Sequence, residues 1–285
     1  MRVIETPIEL RRALADCRER DRIAFVPTMG ALHAGHIGLM KKARRMADVV
    51  VASIYVNPLQ FGPNEDLASY PRPFAEDAAM CEAAGVDFLF HPHNLYPEGG
   101  PLVTLKVAGL DQMLCGAHRP GHFDGVATVV SILFNIVQPH LAIFGEKDFQ
   151  QLSIIQRMVH DLQMPVEVIG APTRREADGL AMSSRNRYLS PEERTQAAAI
   201  PAALRAMQAA FSAGNHRIPE LIELGRQRLA AAGLTPEYLE IRDAATLSLD
   251  VHPTTHTCRI FVAVRLGRAR LIDNMPLAIV AEEHE

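Results

Sequence analysis

Two histidines stand at the start of a predicted helix, in the string P-T-M-G-A-L-H-A-G-H at 27–36. His33 and His36 are three residues apart, so they lie on the same side of that helix. A helix N-terminus attracts anions, and imidazole N–H donors would add to that attraction. The pair therefore suits a polyphosphate better than zinc, because the helical zinc motif needs histidines four residues apart with a glutamate between them. Two ordinary surface histidines on a turn are the alternative.

A second candidate is the string F-G-E-K-D-F-Q-Q at 144–151. Lys147 lies at a predicted helix start, where a cation is disfavoured unless it meets an anion such as phosphate. The choice of lysine stands out because the chain has lysine at only three other positions. Gln151 follows one turn later on the same side. A solvated, charged helix start is the alternative reading of this string.

Two further strings could hold small polar ligands. N-P-L-Q-F-G at 57–62 offers the neutral amides Asn57 and Gln60, which could orient a hydroxyl-bearing substrate. M-S-S-R-N at 182–186 combines two hydroxyls with a forked guanidinium, which is a suitable phosphate clamp. Each string is weak evidence alone, since a proline turn with a satisfied polar pair would also explain the first.

The first part of the chain alternates short apolar runs with amphipathic segments, which favours a parallel sheet covered by helices on both faces. We predict a Rossmann-like α/β domain. Ligands bind such sheets at the carboxyl ends of the strands, where the loops after the first, second and fourth predicted strands carry the candidate residues. The predicted strands are 23–27, 49–56, 86–90, 140–144 and 166–170, and the predicted helices are 35–46, 73–84, 123–137 and 148–162.

The pattern changes near Thr173, where a polar segment with glycine and proline follows. Beyond it we predict helices over 191–213 and 219–232, then antiparallel strands over 238–243, 259–266 and 269–274. The sequence thus predicts two domains, 1–173 and a smaller α+β domain at 174–285.

Composition excludes several classes of protein. The net charge is −4 and no basic stripe is present, which argues against nucleic acid as a partner. The four cysteines are far apart, which favours a reducing cytoplasm over a disulfide framework. Glu5 and Glu9 interrupt any signal peptide, and the longest apolar stretch, 126–137, is too short for a membrane span. We therefore expect a cytoplasmic protein with neither a membrane nor a nucleic-acid partner.

Taken together and in this order, the four strings closely resemble the pantoate–β-alanine ligase (pantothenate synthetase) family of HIGH-motif nucleotidyltransferases. The resemblance extends to R-P-G-H-F-D-G-V-A-T-V-V at 119–130 and A-R-L-I-D-N at 269–274. It implies a Rossmann-like domain with a C-terminal lid domain, a homodimer, and the conversion of pantoate, ATP and β-alanine into pantothenate, AMP and diphosphate with the help of Mg²⁺.

The resemblance also assigns roles to residues. The catalytic group comprises His33, His36, Lys147 and Arg185, with His36 as the proton-donating histidine. Gln60 and Gln151, with Asn57 beside them, would hold pantoate, and Gln60 would lie where β-alanine enters. Asp77 is a weak candidate as metal ligand. The residues expected to contact ATP are Met29, Gly30, Ala31, Leu32, His33, Ala34, Gly35, His36, Gly145, Glu146, Lys147, Asp148, Arg174, Met182, Ser183, Ser184 and Arg185.

Two rivals remain. A nucleotidyltransferase that acts on another, phosphorylated substrate would share the H-x-G-H loop but would need basic groups where Asn57, Gln60 and Gln151 are neutral. A non-catalytic ATP sensor would need neither the glutamines nor two histidines at the phosphates.

Overall fold

The computed structural model describes residues 1–63, 65–252 and 257–277. The chain forms two compact units, Met1–Thr173 and Arg174–Glu285. The first unit contains a six-stranded parallel sheet and the second an antiparallel sheet of three strands. The predicted fold class, a Rossmann-like α/β domain followed by a smaller α+β domain, is confirmed.

The parallel sheet has the strand order β1-β4-β3-β2-β5-β6. From β2 the chain first builds β3 and β4 on one side and then returns to build β5 and β6 on the other. The order therefore reverses between β2 and β5, the place where such sheets bind ligands. The strands are β1 (Arg2–Ile4), β2 (Ile23–Thr28), β3 (Val49–Ile54), β4 (Phe88–Phe90), β5 (Leu141–Gly145) and β6 (Glu167–Ala171).

Helices cover both faces of this sheet. On one face, Met40 of α2 and Cys81 of α3 join a core with alternate strand residues such as Ala24 and Val26. On the other face, Phe25 meets the ring of Phe134 in α5 edge-on at 6.4 Å. The helices of the first unit are α1 (Pro7–Arg18), α2 (Ala34–Met46), α3 (Phe74–Ala83), α4 (Leu114–His118), α5 (His122–Val137) and α6 (Phe149–Asp161).

The second unit packs its helices on its own sheet. Leu204, Met207 and Leu229 form its core with strand residues such as Ile260 and Val262. Its elements are α7 (Pro191–Ala197), α8 (Ala199–Ser212), α9 (Ile218–Ala231), β7 (Pro236–Asp243), β8 (Cys258–Leu266) and β9 (Ala269–Leu277).

The structure differs from the predicted elements in three places, one of which is the short helix α4, Leu114–His118, which is absent from the prediction. The segment predicted as one helix over 191–213 is two helices that meet at Ala198. The first strand and helix, β1 and α1, are absent from the prediction, although Thr6 caps α1 by accepting a hydrogen bond from the amide of Glu9 and Pro7 occupies its first turn. β1 has three residues, which is too short for a periodic pattern to stand out.

Candidate active site

The two histidines cap α2 in the loop that follows β2. The Nδ1 atom of His33 accepts a hydrogen bond from the backbone amide of Gly35 at 3.1 Å, and Nδ1 of His36 accepts one from the amide of His33 at 3.3 Å. This reciprocal arrangement is a capping box built from imidazoles. Because each Nδ1 acts as an acceptor, the proton of each neutral ring must lie on Nε2. Both rings can therefore donate a hydrogen bond from Nε2 to an anion.

His36 is held in the neutral form. Desolvation by the surrounding protein, then the neighbouring His33, lower the pKa of His36 to about 3, although Asp148 acts in the opposite direction. A neutral imidazole can donate a hydrogen bond but has no extra proton to release. Without a ligand, His36 is thus an N–H donor, and its predicted role as proton donor would require bound phosphates to raise its pKa.

We expect these histidine shifts to make stability depend on pH. The unfolded chain binds protons at its histidines below about pH 6.5, whereas folded His36 and His122, with pKa values lowered to about 3 and about 4, do not. The contribution of these two histidines to the free energy of unfolding is therefore complete above about pH 6.5 and should fall by about 1.4 kcal/mol per histidine for each pH unit below about 6, until the pH reaches the folded pKa. Denaturant titrations between pH 7 and 4.5 measure this slope.

Substitutions test whether His36 and His122 cause the loss of stability at low pH. His36→Asn and His122→Asn cannot titrate, so each should flatten the loss of stability at low pH. The wild-type slope in both variants would show that the buried histidines do not titrate as described.

Asp77 shapes the backbone of the same loop. Its carboxylate is 1% exposed and accepts hydrogen bonds from the amides of Ala31 at 2.8 Å and Leu32 at 2.7 Å. Gly30 and Ala31 both have positive φ, at 81° and 50°. A Cβ atom at Gly30 would lie 2.9 Å from the carboxylate of Asp77, so the tight approach requires glycine. The contacts of Asp77 explain a structural role, and its role as metal ligand stays a prediction.

Lys147 reaches the same edge of the sheet from the end of β5. It lies in a 3₁₀ helix, Glu146–Asp148, directly before α6. Its Nζ is 3.7 Å from Oδ1 of Asp148, and its side chain is 20% exposed. Both charges act on the pKa of His36, Lys147 lowering it and Asp148 raising it. The loops after β2 and β5 thus bring the imidazoles and the ammonium group together.

Gln60 is positioned next to this loop by Asn57, which follows β3. The amide nitrogen of Gln60 lies 3.0 Å from the sulfur of Met29, and its amide oxygen accepts a hydrogen bond from Asn57 at 3.1 Å. Asn57 is 1% exposed, and it also donates to the carbonyl of Gly125 and accepts from the hydroxyl of Tyr96. The described contacts of Asn57 therefore orient Gln60.

A second set of groups supports Gln60 from the start of α5. The carbonyl oxygen of Gln60 accepts hydrogen bonds from Nδ1 of His122 at 2.8 Å and from Arg119 at 3.3 Å. Arg119 also donates to both oxygens of Glu65, at 2.7 and 2.6 Å, and lies 2.9 Å from Nε2 of His122. Burial, then the charge of Arg119, lower the pKa of His122 to about 4, so the ring is neutral with its proton on Nδ1.

This support for Gln60 is not among the sequence predictions. Arg119 and His122 stand in the R-P-G-H string, but they are about sixty positions from Gln60, and only the packing of α5 on the loop reveals the link. Gly125 offers a local signal: a Cβ there would lie 2.3 Å from the carbonyl oxygen of Leu59. A glycine inside an apolar helix therefore marks a close approach of another backbone.

Gln150 and Gln151, two of the three glutamines of α6, differ in their contacts. Gln150 is buried and accepts from the amide of Cys115 while donating to the carbonyls of Leu110 and Met113, so it ties α6 to the segment before α5. Gln151 is partly exposed, and its side-chain amide forms no hydrogen bond within the described residues. The binding of pantoate by Gln151 stays a prediction.

The remaining predicted residues lie in the second unit. The carbonyl of Arg174 accepts a hydrogen bond from the amide of Met182 at 3.0 Å, so the structure brings these two together. Ser183 caps the 3₁₀ helix Ser184–Tyr188 by accepting from the amide of Arg185 at 3.2 Å. Their proposed contact with ATP stays a prediction.

Within the described ranges, no group of three or more histidine, cysteine, aspartate or glutamate side chains could hold a metal ion. None of the described helices is long and apolar enough to span a membrane. None of the four cysteines, all of which lie in the described ranges, forms a disulfide bond.

Comparison with known proteins agrees with the geometry. Residues 2–276 match the family described as pantoate-beta-alanine ligase. Pantothenate synthetase of Pseudomonas fluorescens (strain Pf0-1) is 54% identical, over 97% of this chain and 98% of that protein. The corresponding protein of Pseudomonas aeruginosa (strain UCBPP-PA14) is 52% identical, over 96% of this chain and 98% of its own length.

Solved structures agree as well. Pantothenate synthetase from Thermus thermophilus superposes with a TM-score of 0.92 at 48% identity, covering 97% of this chain and 99% of that one. Pantoate-beta-alanine ligase from Francisella tularensis, complexed with beta-gamma ATP and beta-alanine, gives a TM-score of 0.80 at 34% identity, covering 97% and 98%. With a family match over nearly its whole length and relatives more than 50% identical, this chain belongs to the pantoate–β-alanine ligase family.

Proposed function

We propose that this ligase condenses pantoate with β-alanine through a pantoyl-adenylate intermediate, forming pantothenate, AMP and diphosphate. Family membership supports the overall reaction, and the Francisella relative is complexed with an ATP species and β-alanine. The observation that carries the adenylate step is the cluster at the reversal of strand order. There, two neutral imidazoles with Nε2–H donors and the ammonium of Lys147 share the loops after β2 and β5.

The first step needs charge stabilisation more than it needs a protein nucleophile. The pantoate carboxylate attacks the α-phosphorus of ATP, and the bond to the β-phosphate oxygen breaks as diphosphate leaves. Two anions must approach each other while charge grows on the leaving group. Lys147 offsets that charge, and His33 and His36 donate hydrogen bonds to phosphate oxygens. The imidazoles are held ready by their Nδ1 bonds, so they need no reorganisation during the reaction.

The neutral amides suit pantoate, which carries hydroxyls beside its carboxylate. Gln60 and Gln151 would hold those hydroxyls without adding positive charge that would neutralise the attacking carboxylate. Asn57, itself held by the hydroxyl of Tyr96, fixes the side chain of Gln60, and Arg119 and His122 fix the backbone of Gln60. A fixed Gln60 would hold pantoate so that its carboxylate oxygen stays in line with the α-phosphorus of ATP.

In the second step, the free amine of β-alanine attacks the acyl carbon of the adenylate. The bond from that carbon to the phosphate oxygen breaks, AMP leaves, and the nitrogen loses a proton. Water would compete for the same carbon, so the adenylate must be shielded. We propose that the second unit provides this shield, and that Arg174 and Met182–Arg185 bind the phosphates of ATP, as the resemblance implies.

Magnesium fits this site only as a partner of the nucleotide. Magnesium sites built around substrate phosphates use one or two carboxylates and several waters. Asp148, half-exposed beside Lys147, is a suitable carboxylate, whereas both described bonds of Asp77 go to backbone amides. Bound there, the ion would neutralise phosphate charge.

We expect Gln60→Ala and Gln151→Ala to raise the KM for pantoate by about 10-fold or more, since each removes hydrogen bonds to the substrate worth about 1 to 2 kcal/mol. The affinity for ATP should change by less than about 3-fold, because the phosphates rest on other loops. Steady-state kinetics with each substrate varied in turn gives both values.

Gln156→Ala is the matched control, because it removes an exposed glutamine from the same helix as Gln151. It should leave both constants unchanged. If Gln60→Ala instead abolishes ATP binding while pantoate still binds, the assignment of the two substrates to their loops is wrong.

We also propose that the protein acts as a homodimer in the cytoplasm. Free thiols are the state that a reducing compartment maintains, and the family resemblance implies the dimer. Sedimentation velocity should give a mass about twice the 31.4 kDa of one chain. A single species at the mass of one chain would contradict the dimer.

Product analysis tests the proposed function. Incubation with pantoate, β-alanine and MgATP should yield pantothenate, AMP and diphosphate in equal amounts, as measured by ³¹P NMR and mass spectrometry. ADP and phosphate as products would show a phosphorylated-acid mechanism. A nucleotidyltransferase would leave the AMP moiety in its product, and a sensor would form no product at all.

A further inference from the structure

We propose that the buried ion pair between Arg175 and Asp273 positions the ATP-binding segment Met182–Arg185. The proposal rests on the assignment of this segment to the phosphates of ATP. It makes Arg175 and Asp273 positioning residues that act on the nucleotide through the segment, and it gives the A-R-L-I-D-N string at 269–274 a function in catalysis.

The pair has the geometry of a two-pronged clamp. The two terminal nitrogens of Arg175 donate to the two oxygens of Asp273, at 2.7 and 2.9 Å. The side chain of Asp273 is 1% exposed and that of Arg175 is 22% exposed. The guanidinium also donates to the carbonyls of Gly179 and Asn274. Such parallel, charge-assisted bonds fix orientation as well as distance.

Arg175 lies at the base of a short hairpin that leads into the segment. It pairs with Ala181 in an antiparallel bridge, and the amide of Glu176 donates to the carbonyl of Leu180. One residue further out, the amide of Met182 donates to the carbonyl of Arg174. A displacement of Arg175 would therefore move Met182 directly.

Asp273 provides a rigid base for this hairpin. It lies within β9, opposite Val262 of β8, in a sheet buried under α8. The neighbouring Asn274 is itself held, because Arg259 donates to its side-chain oxygen and its amide donates to Asp273. The clamp thus holds the hairpin in a fixed position relative to the sheet.

Stability alone gives a poor account of such a pair. The free-energy cost of removing two charges from water offsets much of the stabilisation that their attraction provides. Well-packed apolar side chains often stabilise a protein equally well. What an apolar pair cannot supply is a fixed distance and angle between a sheet and a loop.

The test compares two carboxylates of the same sheet, Asp273 and Glu237, each of which meets arginine. Asp273→Asn removes the charge from the clamp, and Glu237→Gln removes it from a pair in which Glu237 meets Arg265 at 2.6 Å and Arg270 at 2.7 Å. We expect both variants to lose some thermal stability. Only Asp273→Asn should raise the KM for ATP and lower kcat, together by about 10- to 100-fold in kcat/KM, while the KM for pantoate stays unchanged.

Arg175→Lys covers the case in which Asp273→Asn does not fold. Lysine keeps the charge but loses the fork, so the ATP constants should shift in the same direction by a smaller factor. ATP kinetics unchanged in Arg175→Lys and in a folded Asp273→Asn would overturn the proposal, as would an equal effect of Glu237→Gln.

Arg185→Ala separates this proposal from the function on which it rests. If Arg185→Ala raises the KM for ATP while the clamp variants do not, the positioning inference is wrong and the phosphate role of the segment stands. If Arg185→Ala leaves ATP use intact, the segment does not bind phosphate and the proposal fails with it.

Discussion

His36→Ala should fold normally and lose most of its adenylation activity, with a fall in kcat of about 10²- to 10³-fold. The expected size follows from the charge that develops on the phosphates in the transition state, where a fixed N–H donor acts more strongly than in the ground state. The KM for ATP should change much less. Single-turnover formation of pantoyl adenylate, with thermal unfolding as the check on folding, measures the effect.

Two other substitutions at His36 show which of its ring nitrogens the adenylation step needs. In His36→Asn, the side-chain oxygen can replace Nδ1 as the acceptor for the amide of His33, but no donor reaches the position of Nε2. It should be as inactive as the alanine variant. His36→Gln places an amide donor near the Nε2 position and should recover part of the rate. Wild-type turnover in His36→Asn would remove the Nε2–H group from the mechanism.

Lys147→Ala should lower kcat/KM for ATP by about 10²-fold or more, because it removes a partly buried ammonium from the place that we propose for the leaving diphosphate. Lys147→Arg should restore little of this loss, since a planar fork needs more room than a point charge and presents its donors in another geometry. Initial rates over a range of MgATP concentrations measure both variants.

Lys41→Ala is the control for the change in net charge, because Lys41 is an exposed residue of α2. It should behave as the wild type. Full activity in Lys147→Arg would show that only the charge at this position counts, and that the compact shape of the ammonium has no part in the reaction.

The fold was largely predictable because the strands of the first unit are short, apolar and separated by amphipathic helices. Glycine and proline near the strand ends also marked the loops that carry His33, Gln60 and Lys147. The local pattern was misread at Ala198, where two helices meet while the backbone keeps helical angles of φ −63° and ψ −18°. Pro201 lies in the first turn of α8 and has no N–H with which to continue the hydrogen bonding of α7. A proline at that place is the sequence signal for the start of a new helix.

The chemistry of the site was only partly predictable, because much of it depends on contacts between distant residues. The sequence placed His36 at a helix start, but its neutral state follows from desolvation and from its charged and titratable neighbours in the folded chain. Arg119 and Glu65 reach Gln60 only through the folded chain. Likewise, nothing in the local sequence A-R-L-I-D-N indicates that Asp273 forms an ion pair with Arg175.

Isotope exchange between labelled diphosphate and ATP tests the adenylate mechanism most directly. With pantoate and Mg²⁺ present but no β-alanine, the first step should be complete and reversible, so diphosphate should attack pantoyl adenylate and return label to ATP. Exchange should require pantoate and should fall in His36→Ala and Lys147→Ala. Exchange that appears only with β-alanine would point to a concerted reaction. Absence of exchange under all conditions, with no AMP formed in the complete reaction, would contradict the adenylate account.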